Sequence, residues 1–117
     1  MARLSTHVLD TARGIPAAGI AVDLHALRGA DRVHVTSIVT NADGRTDGPL
    51  LNGDRIEPGV YELTFLAGDY FRRTGVVVSD PPFLDRVVIR FGIADAAGHY
   101  HVPLLLSPYG YSTYRGS

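Results

Sequence analysis

The chain has 117 residues, of which 45% are hydrophobic and 20% charged, and this composition is typical of one folded domain, 1–117. A net charge of −1 at pH 7 provides no strong field for binding nucleic acid or an anionic membrane. All eleven basic residues are arginine and cysteine is absent, which excludes lysine Schiff bases, disulfides, cysteine nucleophiles and Cys-type zinc sites.

Short runs of alternating polar and apolar residues predict strands along the whole chain. Turn signals such as Asp43-Gly44 separate these runs at intervals of roughly ten residues. The predicted strands are 4–10, 20–28, 33–40, 45–48, 60–67, 86–94, 99–106 and 109–115. Residues 68–74 are predicted as one short helix or as a turn between strands. The pattern indicates an all-β fold, either an antiparallel sandwich or a barrel.

His7 is the first candidate functional residue. On a strand, Ser5, His7 and Leu9 would share one face. Histidine titrates near neutral pH, so a side chain here could act as a general base. The alternative is a surface or interface histidine, and the local sequence alone favours that alternative.

His99 and His101 form a second candidate. On a strand their side chains project from the same face, with Tyr100 on the opposite one. Such a pair could bind zinc or act together as bases. A spacing of two residues is a weak metal signal, however, and no further ligand motif accompanies it. We therefore predict no metal and no cofactor, and keep a zinc hydrolase using His7, His99 and His101 as a lesser hypothesis.

Arg45 is the third candidate, because it follows the turn at Asp43-Gly44. Its planar guanidinium suits a carboxylate or an imide-like carbonyl. The alternative is a structural ion pair with a neighbouring aspartate.

The segment 107–117 is the fourth candidate, because it concentrates three tyrosines, an arginine and several hydroxyl groups. Chain ends are usually frayed and variable, so an edge-strand interface or a ligand site would explain this composition. No phosphate loop, GxSxG motif or HExxH motif is present, which excludes the common motif-bearing hydrolase classes.

These segments together resemble the transthyretin-related family of 5-hydroxyisourate hydrolases over essentially the whole chain. The resemblance lies in residues 5–11 with 13–17, in 40–45 and in 99–117. The ending Tyr-Arg-Gly-Ser, residues 114–117, is its most specific part. It separates the hydrolases from transthyretin itself, the thyroid-hormone carrier.

The resemblance implies an eight-stranded antiparallel β-sandwich with one short helix. It also implies a homotetramer, a dimer of dimers with sites in the channel between the dimers. The implied substrate is 5-hydroxyisourate, an intermediate of urate degradation, whose hydrolysis yields 2-oxo-4-hydroxy-4-carboxy-5-ureidoimidazoline. No secretory signal is visible at the start of the sequence, so we expect a cytoplasmic enzyme.

The family pattern also assigns roles to residues. The implied catalytic residues are His7, Arg45, His101 and Ser117, and the implied substrate-binding residues are His7, Arg45, Tyr114, Arg115 and Gly116. His7 is the leading candidate for the general base and His101 for orienting the water, although these two roles could be reversed. The resemblance assigns no catalytic role to His99.

Two other functions remain open from the sequence. One is a non-catalytic transthyretin-like small-molecule binding protein, which would share the sandwich and the tetramer. The other is an immunoglobulin-like interaction domain, which strand pattern alone does not exclude. The combination of His7, Arg45, His101 and the ending 114–117 favours the enzyme over both.

Overall fold

Alternating burial along the chain shows how this sequence forms two packed sheets. The computed structural model describes residues 2–116. Its strands are β1 Arg3–Asp10, β2 Ile15–Pro16, β3 Ala21–Arg28, β4 Asp31–Val39, β5 Leu51–Asn52, β6 Gly59–Phe65, β7 Val87–Ile93, β8 His99–Ser107 and β9 Gly110–Thr113. One helix, α1 Ala67–Arg73, follows β6, and a 3₁₀ turn spans Gly53–Arg55. No helix within residues 2–116 is long and apolar enough to cross a membrane.

Each sheet has a defined strand order. The first sheet runs β2-β1-β8-β9, with β5 also paired to β1, and the second runs β4-β3-β6-β7. Strands β1 and β8 are parallel, whereas every other strand pair is antiparallel. The prediction of an all-β sandwich with one short helix is therefore confirmed. The described strands number nine: seven correspond to predicted strands, and the two-residue strands β2 and β5 are additional.

The predicted strand 45–48 was wrong. Arg45 forms only an isolated bridge with His7, and the nearest strand on this stretch is Leu51–Asn52. The adjacent Gly48-Pro49 explains the difference, because proline has no N–H to donate to a sheet and glycine favours turns.

The core lies between the inner faces of the two sheets. Its largest fully buried side chains come from both sheets and from α1, and they include Leu4, Leu24, Phe65, Phe71 and Leu104. Even-numbered residues of β1 point into this core, which leaves the odd-numbered ones on the opposite face.

Helix α1 also anchors the end of β1. The Tyr70 hydroxyl donates a 2.8 Å hydrogen bond to Oδ2 of buried Asp10, and the backbone N–H of Arg13 donates to Oδ1 of the same carboxylate. Burial, together with this bond and the charge of Asp10, raises the pKa of Tyr70 above its ordinary value. These contacts hold the strand that carries the first candidate histidine.

Candidate active site

The outward face of β1 and β8 gathers most of the candidate side chains. The parallel register pairs Arg3 with His99, Ser5 with His101 and His7 with Pro103. Cross-strand partners in a sheet project from the same side. The three histidines that the sequence singled out therefore share one face, although they come from opposite ends of the chain.

His101 is held by a hydrogen bond from the neighbouring strand. The Ser5 hydroxyl lies 2.8 Å from Nδ1 of His101. Such a bond restricts the rotation of the ring and couples its tautomer to the orientation of the hydroxyl. The sequence placed Ser5 on the face of His7 but assigned it no role, because nothing in the local pattern indicated that β1 pairs with β8.

His7 contacts the turn that precedes Arg45. Its Nε2 lies 2.9 Å from the carbonyl oxygen of Asp43, and the N–H of Val8 donates to the carbonyl of Gly44 at 2.8 Å. A carbonyl oxygen can only accept, so Nε2 of His7 donates. In the neutral ring the lone pair is then on Nδ1. Nδ1 is consequently the nitrogen that can accept a proton.

The turn itself has a defined geometry. Oδ1 of Asn41 accepts hydrogen bonds from the backbone N–H groups of Asp43 at 2.9 Å and of Arg45 at 3.2 Å. Gly44 has φ +74°, and a Cβ at this position would collide with the carbonyl oxygen of Val8. Position 44 therefore requires glycine, because the turn lies so close to β1. The turn also places Arg45 beside His7.

Two adjoining cavities open on this face. Three side chains, Arg3, Ser5 and Arg45, line both of them. The larger cavity, of about 360 Å³, is completed by His99, Tyr100 and His101. The smaller cavity, of about 200 Å³, is completed by Thr6, Thr46, Asp47, Gly48 and Pro49. The larger volume lies within the range of small-molecule sites in proteins.

The surroundings of His101 favour a neutral ring. Burial lowers its pKa below the ordinary value, and the positive charges of Arg45, His7 and Arg3 lower the pKa further. A neutral imidazole can accept a proton or orient a water molecule, which are the capacities that general base catalysis requires.

Gly116 brings the end of the described chain onto His101. Its N–H donates a 2.7 Å hydrogen bond to the His101 carbonyl oxygen, and a Cβ on Gly116 would lie 2.6 Å from Cδ2 of the imidazole. Residue 116 thus packs against the ring with no room for a side chain. Ser117, which the sequence predicted as catalytic, lies outside the described residues.

Arg115 and Tyr114 lie elsewhere in this single chain. Nη2 of Arg115 donates to the carbonyl of His99 at 3.0 Å, and its guanidinium stacks 4.1 Å from the centre of the Tyr100 ring. Both residues line a separate cavity of about 240 Å³ that β7 completes on its far side. The structure therefore brings His7, Arg45, His101 and Gly116 together, whereas Tyr114 and Arg115 lie along the neighbouring cavity.

The alternatives for Arg45 and the histidines can also be compared with the structure. Within residues 2–116, the Arg45 side chain forms no salt bridge, so the expected ion pair with a neighbouring aspartate is absent there. The same residues contain no group of three or more His, Cys, Asp or Glu side chains placed to hold a metal ion. The hypothesis of zinc bound by His7, His99 and His101 therefore has no ligand set in the described chain.

Comparison with known sequences identifies relatives along the full chain. Residues 4–116 match the profile described as the HIUase/Transthyretin family. The 5-hydroxyisourate hydrolase 2 of Rhizobium meliloti is 63% identical over 98% of this chain and 96% of its own length. The 5-hydroxyisourate hydrolase of Pseudomonas aeruginosa is 56% identical over 100% of this chain and 93% of its own length.

Solved structures show the same architecture. A structure of Klebsiella pneumoniae 5-hydroxyisourate hydrolase is 38% identical with a TM-score of 0.82, and each chain covers 100% of the other. Transthyretin from Sparus aurata superposes with a TM-score of 0.87 at 26% identity, over 99% of this chain and 97% of that one. An (S)-allantoin synthase has a TM-score of 0.94 at 47% identity, and this chain spans 44% of its length.

Proposed function

We propose, because this chain belongs to the HIUase/Transthyretin family, that it is the hydrolase that converts 5-hydroxyisourate to 2-oxo-4-hydroxy-4-carboxy-5-ureidoimidazoline in urate degradation. One observation carries the proposal beyond family membership. His7, Arg45 and His101 come from three distant segments and lie at one outward face, where Arg45 and His101 line a cavity. Two imidazoles beside a guanidinium are suited to adding water to a carbonyl group.

The reaction requires three functions from these residues. A base removes a proton from water, a cation stabilises the oxyanion that forms on the ring carbonyl, and an acid protonates the leaving nitrogen. We assign the base to His7, whose Nδ1 has the lone pair while Nε2 donates to Asp43. Arg45 stabilises the oxyanion, and His101 orients the water or relays its proton. The mechanism requires no covalent nucleophile.

The tail residues have supporting roles in this proposal. Gly116 allows the chain end to approach His101, and Tyr114 and Arg115 bind the substrate in an assembly in which their cavity joins the site. Ser117 fixes a histidine tautomer or the water through its hydroxyl. The contacts of Gly116 with His101 support this arrangement.

A homotetramer, formed as a dimer of dimers, is part of the proposal. Apolar and aromatic side chains are exposed on β7, on β9 and in the adjoining loops, and they include Phe83, Val88, Tyr109, Tyr111 and Tyr114. Exposed surfaces of this kind are common at subunit contacts. Sedimentation of the untagged protein tests the assembly, and a fully active monomer would contradict a site between subunits. The cytoplasmic location stays a prediction, which cell fractionation would test.

Substrate decay measures the activity directly. We would generate 5-hydroxyisourate from urate with a urate oxidase and follow its ultraviolet absorbance with and without the protein. Faster decay than in buffer supports the enzyme. An unchanged rate with folded protein would contradict it and favour the alternative, a non-catalytic transthyretin-like binding protein.

A further inference from the structure

Arg3 is the first residue of β1 and belongs to the same exposed face as the candidate histidines. It shares the outward side of the strand with Ser5 and His7, and its partner across the sheet is His99. Leu4 and Thr6, on the other side of the strand, are buried. The position of Arg3 therefore follows from the strand alternation that positions His7, yet the sequence analysis did not single it out.

Arg3 and Arg45 together line the two cavities of the candidate site. Each residue contributes to the wall of the larger cavity, which contains His101, and to the wall of the smaller one. The charges of both arginines also act on His101 and lower its pKa, which places Arg3 within electrostatic range of that ring. A molecule bound beside His101 would therefore be close to two guanidinium groups.

In the described part of the chain, four of the eleven arginines are paired with a carboxylate, and Arg3 and Arg45 are not among them. Arg28, Arg32, Arg72 and Arg90 each form a salt bridge with a carboxylate. Within residues 2–116, the side chains of Arg3 and Arg45 form none. The carboxylate of Asp47, in the smaller cavity, accepts a 3.1 Å hydrogen bond from the Asn41 amide instead. The described walls of the cavities thus carry two cations and one anion.

The reaction changes one ring carbonyl of the substrate and leaves its other carbonyl groups intact. Water adds to the ring carbonyl, the adjacent C–N bond breaks, and one water proton passes to the leaving nitrogen. The other proton is released when the new carboxylic acid ionises. The product carboxylate forms at the reacting carbon, which is assigned to Arg45, while the carbonyl oxygens that do not react remain acceptors for a second arginine in substrate and product alike.

We propose that Arg3 is a second substrate-binding residue, which holds an unreacted carbonyl oxygen of the urate-derived ring in both substrate and product, while Arg45 binds the reacting carbonyl and the carboxylate formed from it. This inference rests on the proposed hydrolase function. Arg3 would act mainly through binding, because the bond that it forms is present in the ground state as well as in the transition state.

The test compares Arg3→Gln and Arg3→Lys with the matched control Arg86→Gln. Arg86 is exposed at the entrance to β7 in the other sheet and lines none of the cavities described above. We expect Arg3→Gln to raise KM roughly 10- to 100-fold with little change in kcat, since a charge-assisted hydrogen bond is lost. Inhibition by the product should weaken in parallel. Arg3→Lys should fall between Arg3→Gln and the wild type, because it retains the charge without the fork.

The outcomes separate this inference from the proposed function. If the wild type is active and KM is the same in Arg3→Gln, Arg86→Gln and the wild type, the role of Arg3 is overturned. The proposed hydrolase function is not affected by that result. A wild type that does not accelerate substrate decay would overturn both. Circular dichroism of each variant checks folding, and we expect no change because Arg3 is exposed.

Discussion

The N–H of Gly116 donates a 2.7 Å hydrogen bond to the carbonyl oxygen of His101, and the glycine Cα lies against the imidazole. This contact joins the end of the described chain to β8. The strand β9 lies between them in the sequence and forms a short hairpin with β8. Here the hydrogen bond and the ring contact give the tail a defined position next to a candidate catalytic residue.

The first prediction concerns this contact. Gly116→Ala introduces a Cβ that would lie 2.6 Å from Cδ2 of His101, so the ring or the tail must move. We expect activity to fall at least roughly tenfold, because displacement of an acid–base group by about 1 Å weakens catalysis strongly. The melting temperature should change little, since Gly116 lies outside the named strands and the hydrophobic core.

Gly110→Ala is the matched control for Gly116→Ala. A Cβ on Gly110 would have its nearest neighbour at 3.8 Å, the Ser107 hydroxyl, which is an ordinary contact. We expect activity close to that of the wild type. Equal activity in both variants would show that the packing of Gly116 on His101 has no catalytic importance.

The second prediction concerns Ser5. Ser5→Ala removes the partner of His101 Nδ1, which leaves the ring free to rotate and to change tautomer. We expect kcat to fall roughly 2- to 10-fold, the range for loss of one neutral hydrogen bond. Ser5→Thr keeps a hydroxyl and should restore most of the rate. Failure of threonine to restore it, with correct folding, would argue against a positioning role for the hydroxyl.

The third prediction concerns His7. His7→Ala removes the proposed base and should lower the rate of 5-hydroxyisourate hydrolysis by about 10² to 10⁴. Thermal unfolding should be nearly unchanged, because the ring is bonded only to the Asp43 carbonyl among the described contacts. Steady-state kinetics and a melting curve on the same preparation separate these effects. A wild-type rate in His7→Ala would show that another residue acts as the base.

The fourth prediction concerns the titration of His101. Burial lowers the pKa of His101 and the charge of Arg45 lowers it further, so the ring should remain neutral at a pH where an exposed histidine is half protonated. Arg45→Gln removes the positive charge and should raise the pKa of His101. Imidazole proton NMR across pH 4.5 to 8, roughly the range over which histidine titrates, measures both values. An unchanged or lower pKa in Arg45→Gln would show that the two groups do not interact.

The fifth prediction concerns stability on the second sheet. Glu62 on β6 is 8% exposed and accepts hydrogen bonds from Arg32 at 3.0 Å and Arg90 at 3.1 Å. The bond from Arg32 lowers the pKa of Glu62, burial opposes that change, and Arg90 lowers the pKa further. We expect Glu62→Gln to cost about 1 kcal/mol at pH 7, a small figure because both arginines are about half exposed or more and solvent screens them.

The pH dependence of that cost has a definite sign. The folded chain holds the Glu62 carboxylate ionised to a lower pH than the unfolded chain does. Its contribution to the free energy of unfolding is therefore fully present above the unfolded pKa and is lost as the pH falls through the folded pKa. Urea unfolding at pH 7 and pH 4 measures it. If the free energy of unfolding differs between wild type and Glu62→Gln by the same amount at pH 7 and pH 4, this pH dependence is contradicted.

Local sequence patterns were sufficient for most of the strands. The alternation in β3, β6, β7 and β8 predicted each of these strands to within two residues at either end, because a strand half-buried in a sandwich must alternate. The region after Arg45 was predicted incorrectly. Residues 45–48 are Arg-Thr-Asp-Gly, which have no apolar face to bury, and only Arg45 finds a bridge partner, so no strand forms.

The predicted site residues also divide into two groups, according to where the structure places them. The resemblance predicted that His7, Arg45, His101 and Gly116 belong to one site, and the structure places these four residues near one another. Tyr114 and Arg115 belong to the same motif, but in the single chain they line a different cavity. Their predicted substrate contacts depend on subunit assembly, which a sequence motif does not describe.

The sequence by itself determined which side chains share a face of a strand, because side-chain direction alternates with a period of two along any extended chain. It also indicated the turn at Asp43-Gly44 before Arg45. Only the tertiary structure decided that Ser5 meets His101 and that Arg3 joins Arg45 at the cavity. Those contacts depend on the parallel pairing of β1 with β8, across 96 residues of sequence. The register of that pairing is selected by the packing of both inner faces into one core. It therefore cannot be predicted from any local segment of the sequence.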